Sequence, residues 1–159
     1  MILASLKSAQ KYRFGISAEE LHTKLVEGNH YIKPKKALEI LNSDADSYLF
    51  VDLRNPRDFD NYHIEGAVNV PLQRVLDEEY ESALKDDRKK ILYSDESIKA
   101  NEIWMVLSQY GYGELFVLEG GLNYWQKNIL NNNVFNTTGT FSDEKAKYDF
   151  KKVIAGEEK

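Results

Sequence analysis

Four short apolar runs punctuate the middle of the chain: Tyr48-Leu49-Phe50-Val51, Ala67-Val68-Asn69-Val70, Ile91-Leu92-Tyr93 and Leu115-Phe116-Val117-Leu118. They are rich in β-branched and aromatic residues and lack strict polar alternation, which is how strands buried on both faces read. The polar stretches between them carry helical spacing. Arg57 to Tyr62 is one. Leu72 to Leu84 is another, with Leu72, Val75, Leu76 and Tyr80 on one side. Ile98 to Tyr110 is the clearest, its stripe made of Ile103, Val106, Leu107 and Tyr110, and Leu122 to Leu130 closes the series with Tyr124, Trp125 and Ile129. Strand and helix in alternation predict a parallel sheet between two layers of helices.

Upstream, Ser17 with Glu20 three residues later forms a capping-box pattern, and Leu21 and Leu25 give a partial apolar stripe. Gly28-Asn29 stops this helix. Tyr31-Ile32 is a short extended piece, because Pro34 pushes Lys33 out of helical geometry. Lys35 to Leu41 predicts a second short helix, with Ala37, Leu38 and Leu41 on one face, followed by a polar turn from Asn42 to Ser47. Downstream, Asn131-Asn132-Asn133 breaks the pattern. A short helix is predicted near Ser142 to Ile154, with Tyr148, Phe150, Val153 and Ile154 as its anchors and a frayed end beyond. Asn136-Thr137-Thr138 matches a glycosylation sequon, a pattern that arises often by chance. The organisation is an extension over residues 1–30, a domain over 31–130 and a tail over 131–159.

A length of 159 residues is enough for a true core without disulfides or metal. The 26 acids against 21 bases leave a net charge of −5, which argues against nucleic acid as a partner. The three histidines, His22, His30 and His63, show no helical metal-ligand spacing, so no metal and no cofactor is expected. No run approaches 18 apolar residues, so no transmembrane segment is predicted. The start, Met1 to Lys7, lacks a basic region, a full apolar core and a cleavage site. A soluble domain of the cytosol or periplasm fits, with an anchor upstream as the other reading. The chain contains no cysteine, which removes disulfides, thiolate metal sites and cysteine catalysis together.

Two clusters carry the candidate chemistry. Val51-Asp52-Leu53-Arg54-Asn55-Pro56-Arg57-Asp58-Phe59 leads into Tyr62-His63-Ile64-Glu65-Gly66-Ala67-Val68-Asn69-Val70-Pro71. Asp52 and Arg54 stand at the C-terminal end of a buried strand, the edge where ligand loops gather in open parallel sheets. Pro56 suits a first helical turn, Gly66 permits a turn, and Pro71 suits a strand edge. Asp52 and Arg54 are read first as residues that fix loops by charged hydrogen bonds, and His63 as a structural histidine. The second cluster, Ser94-Asp95-Glu96-Ser97-Ile98-Lys99, lies where a strand passes into a helix, and free N–H groups at a helix start favour negative charge.

Asp52, Arg54, Asp58, Phe59, His63, Ile64, Gly66, Ala67, Asn69 and Pro71 together resemble the rhodanese domain, whose members show Asp-x-Arg-x-x-x-Glu-Phe and then Gly-His-Ile-x-Gly-Ala-x-Asn-Ile-Pro. Tyr62 replaces the glycine before the histidine. The run Leu118-Glu119-Gly120-Gly121-Leu122-Asn123-Tyr124-Trp125 is similar to the family's Leu-x-Gly-Gly-x-x-x-Trp signature, and Ile32-Lys33-Pro34 to its entry strand. The resemblance covers about residues 31 to 130. It implies an α/β three-layer sandwich with a central, mainly parallel five-stranded sheet and helices on both faces. In isolation Gly120-Gly121 looks like phosphate-loop material, but a bare double glycine is a weak signal and helix–strand packing explains it better; Trp104 and Trp125 read as core.

Members of that family that transfer sulfur carry a cysteine after the strand, in the order Tyr-Cys-x-x-Gly-x-Arg-Ser. Aligned on Tyr93, the order gives Ser94 for the cysteine, Ser97 for the glycine, Lys99 for the arginine and Ala100 for the serine. A persulfide needs a sulfur that leaves and returns. A serine oxygen cannot carry it, and a hydroxyl without a nearby base stays protonated. Asp95 and Glu96 add negative charge where a dianion such as thiosulfate would sit. Two unit charges about 5 Å apart repel by roughly 3 kcal/mol at an effective dielectric near 20, about a hundredfold in affinity. Lys99 is the residue placed to offset part of this. The related cell-cycle phosphatases use a cysteine in a loop of the same shape, so their chemistry goes with it.

Two readings of function follow. In the first, no residue is catalytic, and a pocket of Ser94, Asp95, Glu96, Ser97, Ile98 and Lys99, with Asp52 and Arg54 beneath, binds a small anionic ligand or a protein partner. In the second, the domain is a rhodanese-related sulfurtransferase that acts with a partner thiol, for instance by holding a persulfide that another protein carries.

Overall fold

The computed structural model describes residues 15–130. The predicted helix at Ser142 to Ile154, the Asn136 sequon and the first 14 residues lie outside the described residues. Five strands form one sheet: β1 (Tyr31–Ile32), β2 (Tyr48–Asp52), β3 (Val68–Asn69), β4 (Lys89–Tyr93) and β5 (Leu115–Leu118). Their order is β1-β5-β4-β2-β3, and every neighbouring pair is parallel. The register sets Asp52 opposite both Tyr93 and Asn69, so the residues flanking the loop lie side by side at one sheet edge.

The side chains of β2 alternate between two cores, as the period of a strand requires. Leu49, Val51 and Leu53 enter a cluster with Leu92, Val117, Ala100, Ile103, Trp104 and Leu107, while Phe50 joins Ile91, Tyr93, Leu118, Leu122 and Trp125. Helices α1 (Ala18–Glu27) and α5 (Ser97–Gln109) cover the first face; α2 (Pro34–Ser43) and α6 (Gly121–Trp125) cover the second. This is the three-layer α/β arrangement, with a sheet that is parallel throughout. Trp104 and Trp125 are both core, each 2% exposed.

Local signals explain the ends of the helices. Ser17 accepts from the Glu20 N–H at 3.1 Å and Gly28 closes α1 in the left-handed region at φ 66°. Lys33 is extended at φ −65°, ψ 142°, and Pro34 opens α2, one residue earlier than the sequence pattern places it. Asn55 caps α3 (Pro56–Asn61) by accepting from the Asp58 N–H at 3.0 Å.

The stretch from Leu72 to Leu84 is not one helix. It breaks into 3₁₀ turns at Leu72–Arg74 and Glu78–Tyr80 and one turn of α-helix, α4 (Glu81–Leu84). Its N–H groups bond three residues back, Arg74 to Pro71, Asp77 to Arg74 and Tyr80 to Asp77, while Arg74 reaches forward to the Asp77 carboxylate. Side-chain bonding of this kind competes with an α-helix, and Val75 is buried while Leu76 stays outside. On α5 the buried stripe is Ala100, Ile103, Trp104, Leu107 and Ser108; Val106 is partly buried and Tyr110 is 41% exposed. After α6 the chain widens into a π-type turn at Gln126–Leu130.

Candidate functional site

β4 delivers Tyr93 to the sheet edge, and the chain then turns through Ser94, Asp95 and Glu96 into α5. Ser94 is 2% exposed and Ser97 is 7% exposed, so the hydroxyl side of the loop faces inward, while Glu96, Ile98 and Lys99 lie on the surface. Glu96 caps α5 with no side-chain hydrogen bond, which leaves the first-turn N–H groups without that partner.

The carbonyls of the loop are fixed from the other side. Leu122 N–H donates to the Ser94 carbonyl at 2.9 Å and Asn123 N–H to the Asp95 carbonyl at 3.0 Å. This contact requires Gly121, which has φ 63° and no room for a side chain: a Cβ there would stand 2.6 Å from the Asp95 carbonyl oxygen and 2.7 Å from Glu96 Cα. Gly121 thus serves backbone packing against the loop.

Beneath the loop lies a buried charged pair. The Asp52 side chain is fully buried and the Arg54 side chain is 8% exposed. Arg54 Nη2 meets Asp52 Oδ2 at 2.6 Å and Nε meets Oδ1 at 3.0 Å, while the Arg54 main-chain N–H donates to Oδ1 at 2.9 Å. Arg54 Nη2 also donates to the Tyr62 carbonyl at 2.6 Å, tying the end of α3 to the sheet edge. Asn69 Nδ2 donates to the carbonyls of Asp52 and Arg54 at 3.0 and 2.9 Å. Tyr93 completes the group. Its hydroxyl accepts from the Ile64 N–H at 3.2 Å, and burial, then the nearby Asp52 charge, pushes its phenol above the usual tyrosine range.

The cation that faces Asp95 is Arg54, at 3.8 Å from Nη1 to Oδ1, whereas Lys99 lies exposed on the first turn of α5. Asp95 is half exposed, so the buried Arg54 guanidinium is shared between an inner and an outer carboxylate. His63 is held away from the loop: its Nδ1 bonds the Phe59 carbonyl at 2.9 Å and its ring stacks on Phe59 at 3.9 Å. Among the described residues no histidine or carboxylate hydrogen-bonds the Ser94 hydroxyl, and no group of three or more His, Cys, Asp and Glu is placed to hold a metal ion. Asn69, Tyr93 and Gly121 belong to this site although the loop sequence does not name them; the Asn of the first motif and the double glycine of the second are the signals that pointed there.

Comparison with known proteins agrees with the geometry. A model of the rhodanese-like domain matches residues 33–128. The uncharacterized protein YqhL of Bacillus subtilis is 31% identical over 75 residues, 47% of this chain and 58% of that protein. The probable adenylyltransferase/sulfurtransferase MoeZ of Mycobacterium tuberculosis is 28% identical over 98 residues, 62% of this chain but 25% of its own length. The match therefore spans from a quarter to rather more than half of these relatives. A rhodanese-related protein from Thermoplasma volcanium superposes with a TM-score of 0.54 at 20% identity, covering 62% of this chain and 91% of that one. At that identity the likeness is one of fold.

Proposed function

We propose, for a chain that belongs to the rhodanese-like domain family, that the loop from Ser94 to Lys99 is a non-catalytic binding cup for a small anion or a peptide of a partner protein. The observation that carries this reading is the oxygen of Ser94 at the position from which the family's sulfur-transferring members attack. The loop is built and braced, with its carbonyls bonded to the start of α6 and the N–H groups of α5 without a side-chain cap. What is missing is a leaving sulfur and a base. Retaining the scaffold without the nucleophile fits recognition rather than turnover.

The relatives favour a second reading. MoeZ is a probable adenylyltransferase/sulfurtransferase, and the Shewanella oneidensis relative, 25% identical over 85 residues, is the thiosulfate sulfurtransferase GlpE. In that reading this domain serves sulfur transfer by holding a persulfide that a partner protein carries.

Incubation with thiosulfate and cyanide separates the two. Binding alone yields no thiocyanate above buffer. Turnover that disappears in Ser94→Ala would overturn the non-catalytic reading. Partner capture by the native chain, lost when Asp95, Glu96 and Lys99 are changed together, tests the cup as the recognition surface.

A further inference from the structure

The 13 residues of α5 carry the chain about 20 Å from the loop. At that far end the surface opens into a hollow of about 440 Å³ lined by Leu76, Glu78, Glu81, Lys85, Tyr110 and Tyr112, with Asp77 at its edge. Leu76, 48% exposed, and Tyr110, 41% exposed, are large apolar-bodied side chains that share this one hollow. Their grouping is a better mark of an interaction surface than either residue alone.

The carboxylates around it are unevenly matched. Arg74 holds Asp77 at 2.9 Å and Glu79 at 2.7 Å and lies over the Tyr80 ring at 5.3 Å. Lys85 pairs with Glu81 at 2.5 Å. Glu78 has no cation among the described residues, yet it lines the hollow beside Leu76 and Tyr110. The neighbouring Arg74 shows what this combination attracts: carboxylates and a tyrosine face together hold one cation. A second hollow of about 510 Å³, whose lining includes Gly15 and Phe116, adjoins across Gly111 and Tyr112.

We propose that this hollow is a docking surface for a basic peptide segment of a partner protein. The segment seats an apolar side chain against Leu76 and Tyr110 and sets a Lys or Arg against Glu78. The surface is separate from the loop of Ser94, so one domain presents two recognition faces at opposite ends of α5.

The test uses the full chain and a fluorescein-labelled synthetic peptide, Gly-Lys-Leu-Arg-Ala-Leu-Lys, followed by anisotropy. Saturable binding is expected, weakened about tenfold by Glu78→Lys and by Leu76→Ser, and weakened by added salt. Both positions are exposed, so the variants keep the fold, which a thermal melt verifies. Ser94→Ala binds the peptide as the native chain does, and a failure of the loop reading therefore leaves this result standing. The proposal is overturned if the full chain does not bind the peptide, or if a peptide with Glu in place of Lys and Arg binds equally. It is also overturned if Glu78→Lys changes nothing, or if the hollow proves to mediate self-association that Glu78→Lys abolishes, which would assign it to a second copy of the chain.

Discussion

Gly121 and Asp95 meet backbone to backbone, at a spacing that leaves 2.6 Å between the Asp95 carbonyl oxygen and the point where a Cβ on residue 121 would stand. The loop that faces the candidate site is therefore shaped by a residue 26 positions away, one that contributes no side chain at all.

Gly121→Ala tests this directly. The added methyl meets main chain, which cannot step aside as a flexible side chain would, and φ 63° is unfavourable for alanine. The variant should lose about 1–3 kcal/mol of stability in a urea titration. The amide resonances of Asp95 and Glu96 should shift most.

The buried pair beneath the loop supports a second prediction. Arg54→Ala leaves the fully buried Asp52 carboxylate without its cation, and breaking such a pair costs about 3–5 kcal/mol. Arg54→Lys should recover only part of this, because an ammonium cannot bond both carboxylate oxygens and the Tyr62 carbonyl in the same fork. Denaturation midpoints of the two variants against the native chain check the order.

Much of this frame is legible in the sequence, for reasons that differ by element. The strands announce themselves because burial on both faces demands continuous apolar runs, and β2 and β4 obey. Ser94 is placed by its neighbours: an apolar strand before it and a periodic helix after it. The segment from Leu72 to Leu84 misleads because its apolar residues have helical spacing while its acids and Arg74 bond locally and break the ladder. Val106 and Tyr110 look like core because of their helical spacing; the position of β5 decides that Ser108 turns inward instead, beside the Trp104 that the sequence already marks as core. The pairing of Arg54 with Asp95 is invisible in the sequence, since 41 positions separate them and Lys99 is the nearer cation along the chain.

Acidification should weaken the fold through His30. Burial lowers its pKa, against the raising influence of its hydrogen bonds to Asn101 at 2.8 Å and to the Lys24 carbonyl at 3.3 Å. The unfolded chain, in which the imidazole keeps its ordinary value of about 6.5, then binds the proton more readily than the folded one. Stability from this group is present above about pH 6.5 and is lost as pH falls through the lower folded value. Urea midpoints measured between about pH 7.5 and 5.5 should decline, and the decline should flatten in His30→Gln even though that variant also loses the stacking contact with Trp104.

Restoring sulfur alone should not restore the reaction. Ser94→Cys, assayed for thiocyanate from thiosulfate and cyanide, is expected to turn over poorly because Asp95 and Glu96 still follow the new thiol in the loop. Adding Asp95→Gly and Glu96→Ala removes that charge and releases Arg54 Nη1 from its outer partner. The triple variant should exceed the single one by about tenfold to a hundredfold, with the gap narrowing in high salt. Equal activity in the two would show that the acids do not govern the anion.

The bonds from Leu122 and Asn123 to the carbonyls of residues 94 and 95 are indifferent to what side chain those residues carry. The shape of this turn is therefore set by main chain alone, and a side-chain exchange at residue 94 or 95 leaves its bracing bonds in place.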